Sequence, residues 1–165
     1  MREDFAADYI KKCTGLRPTV CLDPTLLTDK NIWDPLINEK WKKERYILMY
    51  EVRHMKDNPN MLLDKAKILA DFYNCKIIDL SNMTHSVEDF VSLFKYAQYV
   101  VTTSFHATVF SIIFNTPFYS IKLNDGHDGR YVNLLKGLGL ENCCVEKEFV
   151  CQPQEIDFLT VNEKL

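Results

Sequence analysis

From Tyr46 onward, short β-rich runs alternate with stretches of helical spacing, and this alternation constrains the fold more than any other feature of the chain. Tyr46–Tyr50 is a continuous apolar and aromatic run of strand length. Residues 60–73 place Leu62, Ala66, Leu69 and Tyr73 at helical spacing, and residues 75–80 supply a second strand. Ser86, with Asp89 three residues on, opens a helix whose apolar face is Phe90, Leu93, Phe94 and Ala97. Residues 99–103 form a third strand, followed by a helix presenting Ala107, Phe110, Ile113 and Phe114. Pro117 blocks that helix, and Phe118–Ile121 is the fourth strand. Asp128 is expected to cap a last helix carrying Tyr131, Leu134, Leu135 and Leu138, with Gly137 and Gly139 marking its end. Such a rhythm builds βαβ units, so the expected fold class is α/β: a Rossmann-like open parallel sheet with helices on both faces.

Residues 1–45 stand outside the rhythm. Residues 5–13 predict a short helix, 19–22 a strand, and Asp23-Pro24 a turn. Residues 28–45 are charged and hold Trp33 and Trp41 without a clear period. The whole chain has 165 residues, the size of one domain. Its net charge of −3 argues against binding nucleic acid, which calls for a basic surface. The apolar runs are too short and interrupted for a membrane span, and Met1 to Phe5 carries charges of both signs rather than a signal sequence. Six cysteines occur with no Cys-x-x-Cys and no His at zinc spacing, which predicts reduced thiols, a cytoplasmic setting and no metal site. A guanidinium clamp on an anion must come from Arg2, Arg17, Arg45, Arg53 or Arg130.

In open parallel sheets ligands bind beyond the carboxyl ends of the strands. Those ends lead into residues 51–54, 81–85, 104–106 and 122–130, which together hold all four histidines and two of the arginines. The densest constellation is Val101-Thr-Thr-Ser-Phe-His-Ala-Thr108. A helix starting there offers free backbone amides to an anion, with Thr103, Ser104 and Thr108 adding hydroxyls and His106 a side chain that can donate or carry a proton. The same pattern also fits an ordinary Ser or Thr cap followed by a histidine that satisfies a backbone group. Arg53 and His54 leave the first strand and either face the cleft or form a solvated pair. His85 and His127 lie in polar loops and are expected at the plain surface.

Residues 99–119, YVVTTSFHATVFSIIFNTPFY, resemble the polysaccharide pyruvyl transferases. Supporting stretches are residues 20–27, 130–135 and 138–141, so the resemblance runs over most of the chain. It implies a GT-B-like arrangement of two Rossmann-like halves, of which this chain resembles the C-terminal one. Residues 1–45 would then be the hinge and the end of an N-terminal domain, and residues 46–165 the donor-binding domain. The implied activity is pyruvyl transfer from phosphoenolpyruvate to a sugar hydroxyl pair in cell-surface polysaccharide synthesis. Phosphoenolpyruvate is a substrate there, and no cofactor is implied.

By position, His106 matches the family's phosphoenolpyruvate-contacting His and is the catalytic candidate. Thr103, Ser104, Phe105, Thr108, Arg130 and Arg53 are the substrate-binding candidates. Family members often carry Arg two residues before that His, where this chain has Ser104; Arg130 would supply the cation, and Ser104→Arg is expected to strengthen anion binding. Two other readings share the architecture: half of a nucleotide-sugar glycosyltransferase and a non-catalytic anion-binding module. No Gly-rich phosphate loop follows the first strand to favour the former. The strand and helix expected before residue 28 would leave an apolar face open, which predicts packing back on the domain or a homodimer.

Overall fold

The computed structural model describes residues 3–55 and 57–165, so Arg2 lies outside the described residues. Helices α1 (Asp4–Thr14) and α2 (Pro24–Leu27) precede the sheet. Then follow β1 (Tyr46–Tyr50), α3 (Met61–Tyr73), β2 (Lys76–Asp79), α4 (Val87–Tyr96), β3 (Tyr99–Thr102), α5 (Phe105–Ile113), β4 (Phe118–Ile121) and α6 (Gly129–Leu138). The two-residue strand β5 (Cys144–Val145) and helix α7 (Phe158–Glu163) end the chain. All strand pairings among the described residues are parallel, in the order β2-β1-β3-β4-β5. The α/β class with an open parallel sheet is therefore present.

Alternate strand residues feed two cores. Tyr46, Leu48, Val100 and Phe118 pack with Phe94 of α4, Phe110 of α5 and Leu135 of α6. Ile47, Met49, Tyr99, Val101 and Tyr119 pack with Leu62, Ala66 and Leu69 of α3. Burial on both faces is why these strands are unbroken apolar runs rather than alternating ones. The tail, which has no clear pattern in the sequence, completes the α3 side: Phe149 lies against Tyr119, whose hydroxyl donates to the Gln152 carbonyl at 2.7 Å. Lys65 on α3 donates to the Phe149 carbonyl.

The crossovers set where a ligand can sit. The chain leaves β1 through α3 toward one edge, then returns through α4 across the opposite face and continues outward through β3 and β4. Direction therefore reverses between β1 and β3, and their carboxyl ends diverge into a crevice.

Four local expectations need correction. Residues 19–22 are not a strand of the sheet: they run as coil along α6, in the helical layer. Asp23 and Pro24 open the one-turn helix α2, with the Asp23 carboxylate accepting from the Thr25 amide at 3.0 Å. Asp128 holds the N-cap position of α6 but makes no side-chain cap, because its backbone is already helical (φ −75°, ψ −17°) and its carboxylate is engaged elsewhere. Gly139, with φ +75°, ends α6 as a left-handed cap; Gly137 lies inside the helix.

The aperiodic stretch after α2 folds as two 3₁₀ segments, Lys30–Leu36 and Glu39–Lys43, that pack on α4. Trp33 meets Phe110 edge-on at 5.0 Å and Trp41 meets Tyr46 at 6.3 Å, so both tryptophans close the core. Asp89 anchors this stretch, accepting from the Trp41 indole at 2.9 Å, Asn38 at 3.4 Å and Lys40 at 2.9 Å. The bonds to Lys40 and Trp41, the largest effects, hold the Asp89 carboxyl below the usual range. Asp89→Ala leaves the indole unpaired and is expected to destabilise the domain by about 1–2 kcal/mol, with little of that from the exposed lysine. Urea unfolding checks this; an unchanged midpoint would show that the 3₁₀ stretch is held without the Asp89 bonds.

Candidate functional site at the carboxyl end of the sheet

The loops after β1, β3 and β4 meet on one rim and enclose a cavity of about 260 Å³. Arg53, Thr103, Ser104, Phe105, His106 and Arg130 line it together, so the structure gathers six of the seven candidates. Thr108 lies apart. It is fully buried between α5 and β4, donating to the Ser104 carbonyl at 3.0 Å and sharing a 2.6 Å bond with the Ser120 hydroxyl.

The β3–α5 junction is built by its hydroxyls. Thr102 Oγ1 donates to the Tyr50 carbonyl and accepts the Ser104 amide at 2.9 Å, fixing the turn. Ser104 caps α5 by accepting the Ala107 amide at 3.4 Å. The amides of Phe105 and His106, between these two, have no acceptor within the helix and mark the positive end of its dipole. Thr103 is buried; its hydroxyl accepts from the Val52 and Arg53 amides at 3.3 and 3.4 Å and so staples the β1 loop to β3. His106 projects into solvent at the mouth, its ring edge-on to Phe105 at 5.4 Å. Arg130, from the first turn of α6, lays its guanidinium over the Phe105 ring at 5.0 Å. Because Ser104 is nearly buried and serves as the cap, an arginine there would lose that cap. Ser104→Arg is thus expected to destabilise α5 rather than add a contact.

Arg53 is held from behind. Nη2 donates to Asp128 Oδ1 at 2.8 Å and to the Thr103 carbonyl at 3.3 Å, while Nη1 pairs with Asp125. Asp128 also takes the Asn124 amide at 2.7 Å and the Tyr131 hydroxyl, which lies 3.0 Å from the Ile121 carbonyl. One carboxylate thereby ties the β1, β3 and β4 loops together. Burial acts to raise the Asp128 pKa, yet the bonds from Tyr131, Arg53 and the Asn124 amide outweigh it and hold the carboxyl below the usual range. The guanidinium shows the converse: burial opposes its charge, and Asp128 and Asp125 more than restore it.

His127, expected at the plain surface, also lines the cavity. Its loop is folded back by left-handed turns at Asn124 (φ 57°) and Gly126 (φ 84°), with the His127 amide donating to Asp125 at 3.0 Å. The Asn-Asp-Gly signal marks a turn, but nothing local says which way it points. His54 pairs instead with Glu51 at 2.9 Å, and His85 lies against Phe90 at 5.5 Å. His106, His127 and Arg130 thus surround a pocket at a helix N-terminus, an arrangement suited to an anion and to proton transfer. Among the described residues no group of three or more His, Cys, Asp or Glu could hold a metal ion, and no helix is long and apolar enough to cross a membrane. The cysteines form no disulfide among the described residues, and burial pushes the thiols of Cys144 and Cys151 up to about 11 and that of Cys143 to about 12.

Residues 1–125 match the family model described as polysaccharide pyruvyl transferase. No curated protein and no solved structure matches the chain.

Asp128 makes the site's stability depend on pH in a definite sense. Its depressed folded-state pKa contributes stability that is fully present above about pH 4, the ordinary Asp value, and lost as pH falls through the folded value. Asp128→Asn is expected to lower stability by about 1–3 kcal/mol at pH 7 and to flatten its decline below pH 4. Urea midpoints between pH 3 and 7 test this; parallel curves for the two proteins would contradict it.

Proposed function

The chain belongs to the polysaccharide pyruvyl transferase family, and on that premise we propose that its cavity binds phosphoenolpyruvate as the pyruvyl donor for a sugar hydroxyl pair. The observation that carries this reading is the convergence of His106, His127 and Arg130 on the positive start of α5, at the crevice where crossover direction reverses.

The reaction sets the requirements. A proton goes to the methylene carbon of the enol phosphate, making the central carbon electrophilic. One sugar hydroxyl attacks that carbon, the phosphate leaves with its bridging oxygen, and the second hydroxyl closes the ketal. Of the two hydroxyl protons released, one balances the proton placed on carbon and the other leaves with phosphate. His106 is the proposed acid, since it stands at the mouth where the methylene would lie beside the anion-holding amides. Arg130 and the Phe105 and His106 amides would hold the phosphate or carboxylate, and the Phe105 face keeps the guanidinium in position. Arg53 would complete the clamp from the inner wall. Burial raises the thiols of Cys143, Cys144 and Cys151 and leaves them unreactive. The proposed setting is the cytoplasm, where the donor and the nucleotide-linked or lipid-linked sugars of polysaccharide synthesis meet.

His106→Ala and Arg130→Ala are each expected to weaken phosphoenolpyruvate binding by about 1.5–3 kcal/mol, the range of a charge-assisted hydrogen bond. Calorimetry on folded variants measures this. Unchanged affinity in both would leave Ser104 and His106 as an ordinary helix start and remove the donor site from this cavity.

A further inference from the structure

Arg53 is the most deeply placed cation on the cavity wall, yet two carboxylates already hold it. They differ in kind. Asp128 is only 11% exposed and grips Nη2 from the buried side, together with Tyr131 and the Asn124 amide. Asp125 is 35% exposed and covers Nη1 from a loop whose two left-handed residues, Asn124 and Gly126, flank it. With Asp125 in place, one guanidinium faces two carboxylates, so this trio carries a net charge of −1 beside a cavity suited to an anion. With Asp125 displaced, Arg53 stays anchored by Asp128 as a neutral pair, and the freed edge offers the planar fork that carboxylate and phosphate match.

We propose that Asp125 is an internal stand-in for the anionic end of the substrate, occupying the Nη1 edge of Arg53 and yielding it when a carboxylate or phosphate enters. The inference rests on reading this cavity as an anion site. It assigns Asp125 a specificity role. A ligand must bring its own anion to take over the guanidinium edge, so neutral sugars gain nothing from displacing the loop. Displacement also carries the adjacent His127, whose amide is tied to Asp125, so exchange of the carboxylate and placement of the imidazole are one movement.

Binding of inorganic phosphate and of pyruvate to the full chain separates the outcomes. Asp125→Asn keeps an oxygen for the His127 amide but removes the competing charge, and is expected to tighten binding about 2–5-fold, the scale of one partly exposed ion pair. Asp125→Ala should do the same. Tightening of phosphate alone assigns Arg53 to the phosphoryl end, and tightening of pyruvate alone assigns it to the carboxylate end. Either result supports the stand-in role, provided the gain vanishes in the Arg53→Gln/Asp125→Asn double variant. A gain that persists without Arg53 is mere removal of negative charge and overturns the proposal. If Asp125 variants bind no more tightly while Arg130→Ala binds more weakly, the stand-in role fails and the anion site stands. If neither anion binds any variant, both fail.

Discussion

The reversal of crossover direction between β1 and β3 opens a crevice at the carboxyl end of the sheet, and that crevice must be both closed and kept usable. Three loops that form neither helix nor strand among their described residues meet there. The Arg53–Asp128 pair is what joins them: it links the β1 loop to the β4–α6 loop, and the Thr103 hydroxyl and carbonyl bring in the β3 end. Without that junction the pocket-lining residues would sit on independently mobile loops. With it, the walls are set by a nearly buried, charge-assisted network, and only the rim is left to exposed side chains.

This division of labour separates residues of the same chemical type. Of the hydroxyls beside His106, Thr102, Thr103, Ser104 and Thr108 all spend their bonds on backbone, and Thr108 also on the Ser120 hydroxyl, shaping the junction. Of the two arginines, Arg53 is bound in the wall, while Arg130 rests on an aromatic face at the mouth. Of the four histidines, His106 and His127 reach the pocket, whereas His54 and His85 serve their own loops. The functional reading therefore rests on three side chains and a helix start rather than on the whole polar stretch after β3.

How much of this is legible in the sequence follows from the range of the interactions. Strands buried on both faces announce themselves as apolar runs, and Ser104 ahead of Phe105-His106 marks a helix start from local chemistry alone. Arg53 is visible at a strand end, but its partners lie 72 and 75 residues away, a distance no local pattern spans. Asp128 shows the cost of local reading: an acid before a helix signals a cap, yet tertiary pairing claims the carboxylate and its backbone is already helical. Residues 19–22 have the composition of a strand but lie along α6 instead of a sheet edge. His127 escapes for a third reason, since left-handed turns at Asn124 and Gly126 aim it and their direction is invisible in the residue types.

Amide chemical-shift mapping with phosphoenolpyruvate tests most directly whether the crevice at the sheet's carboxyl end is the donor site. The expected result is saturable shifts concentrated at Phe105, His106, His127 and Arg130, with Thr103 following through the wall. Saturable shifts confined to the larger groove between residues 20–27 and α6, with the α5 start unmoved, would contradict it.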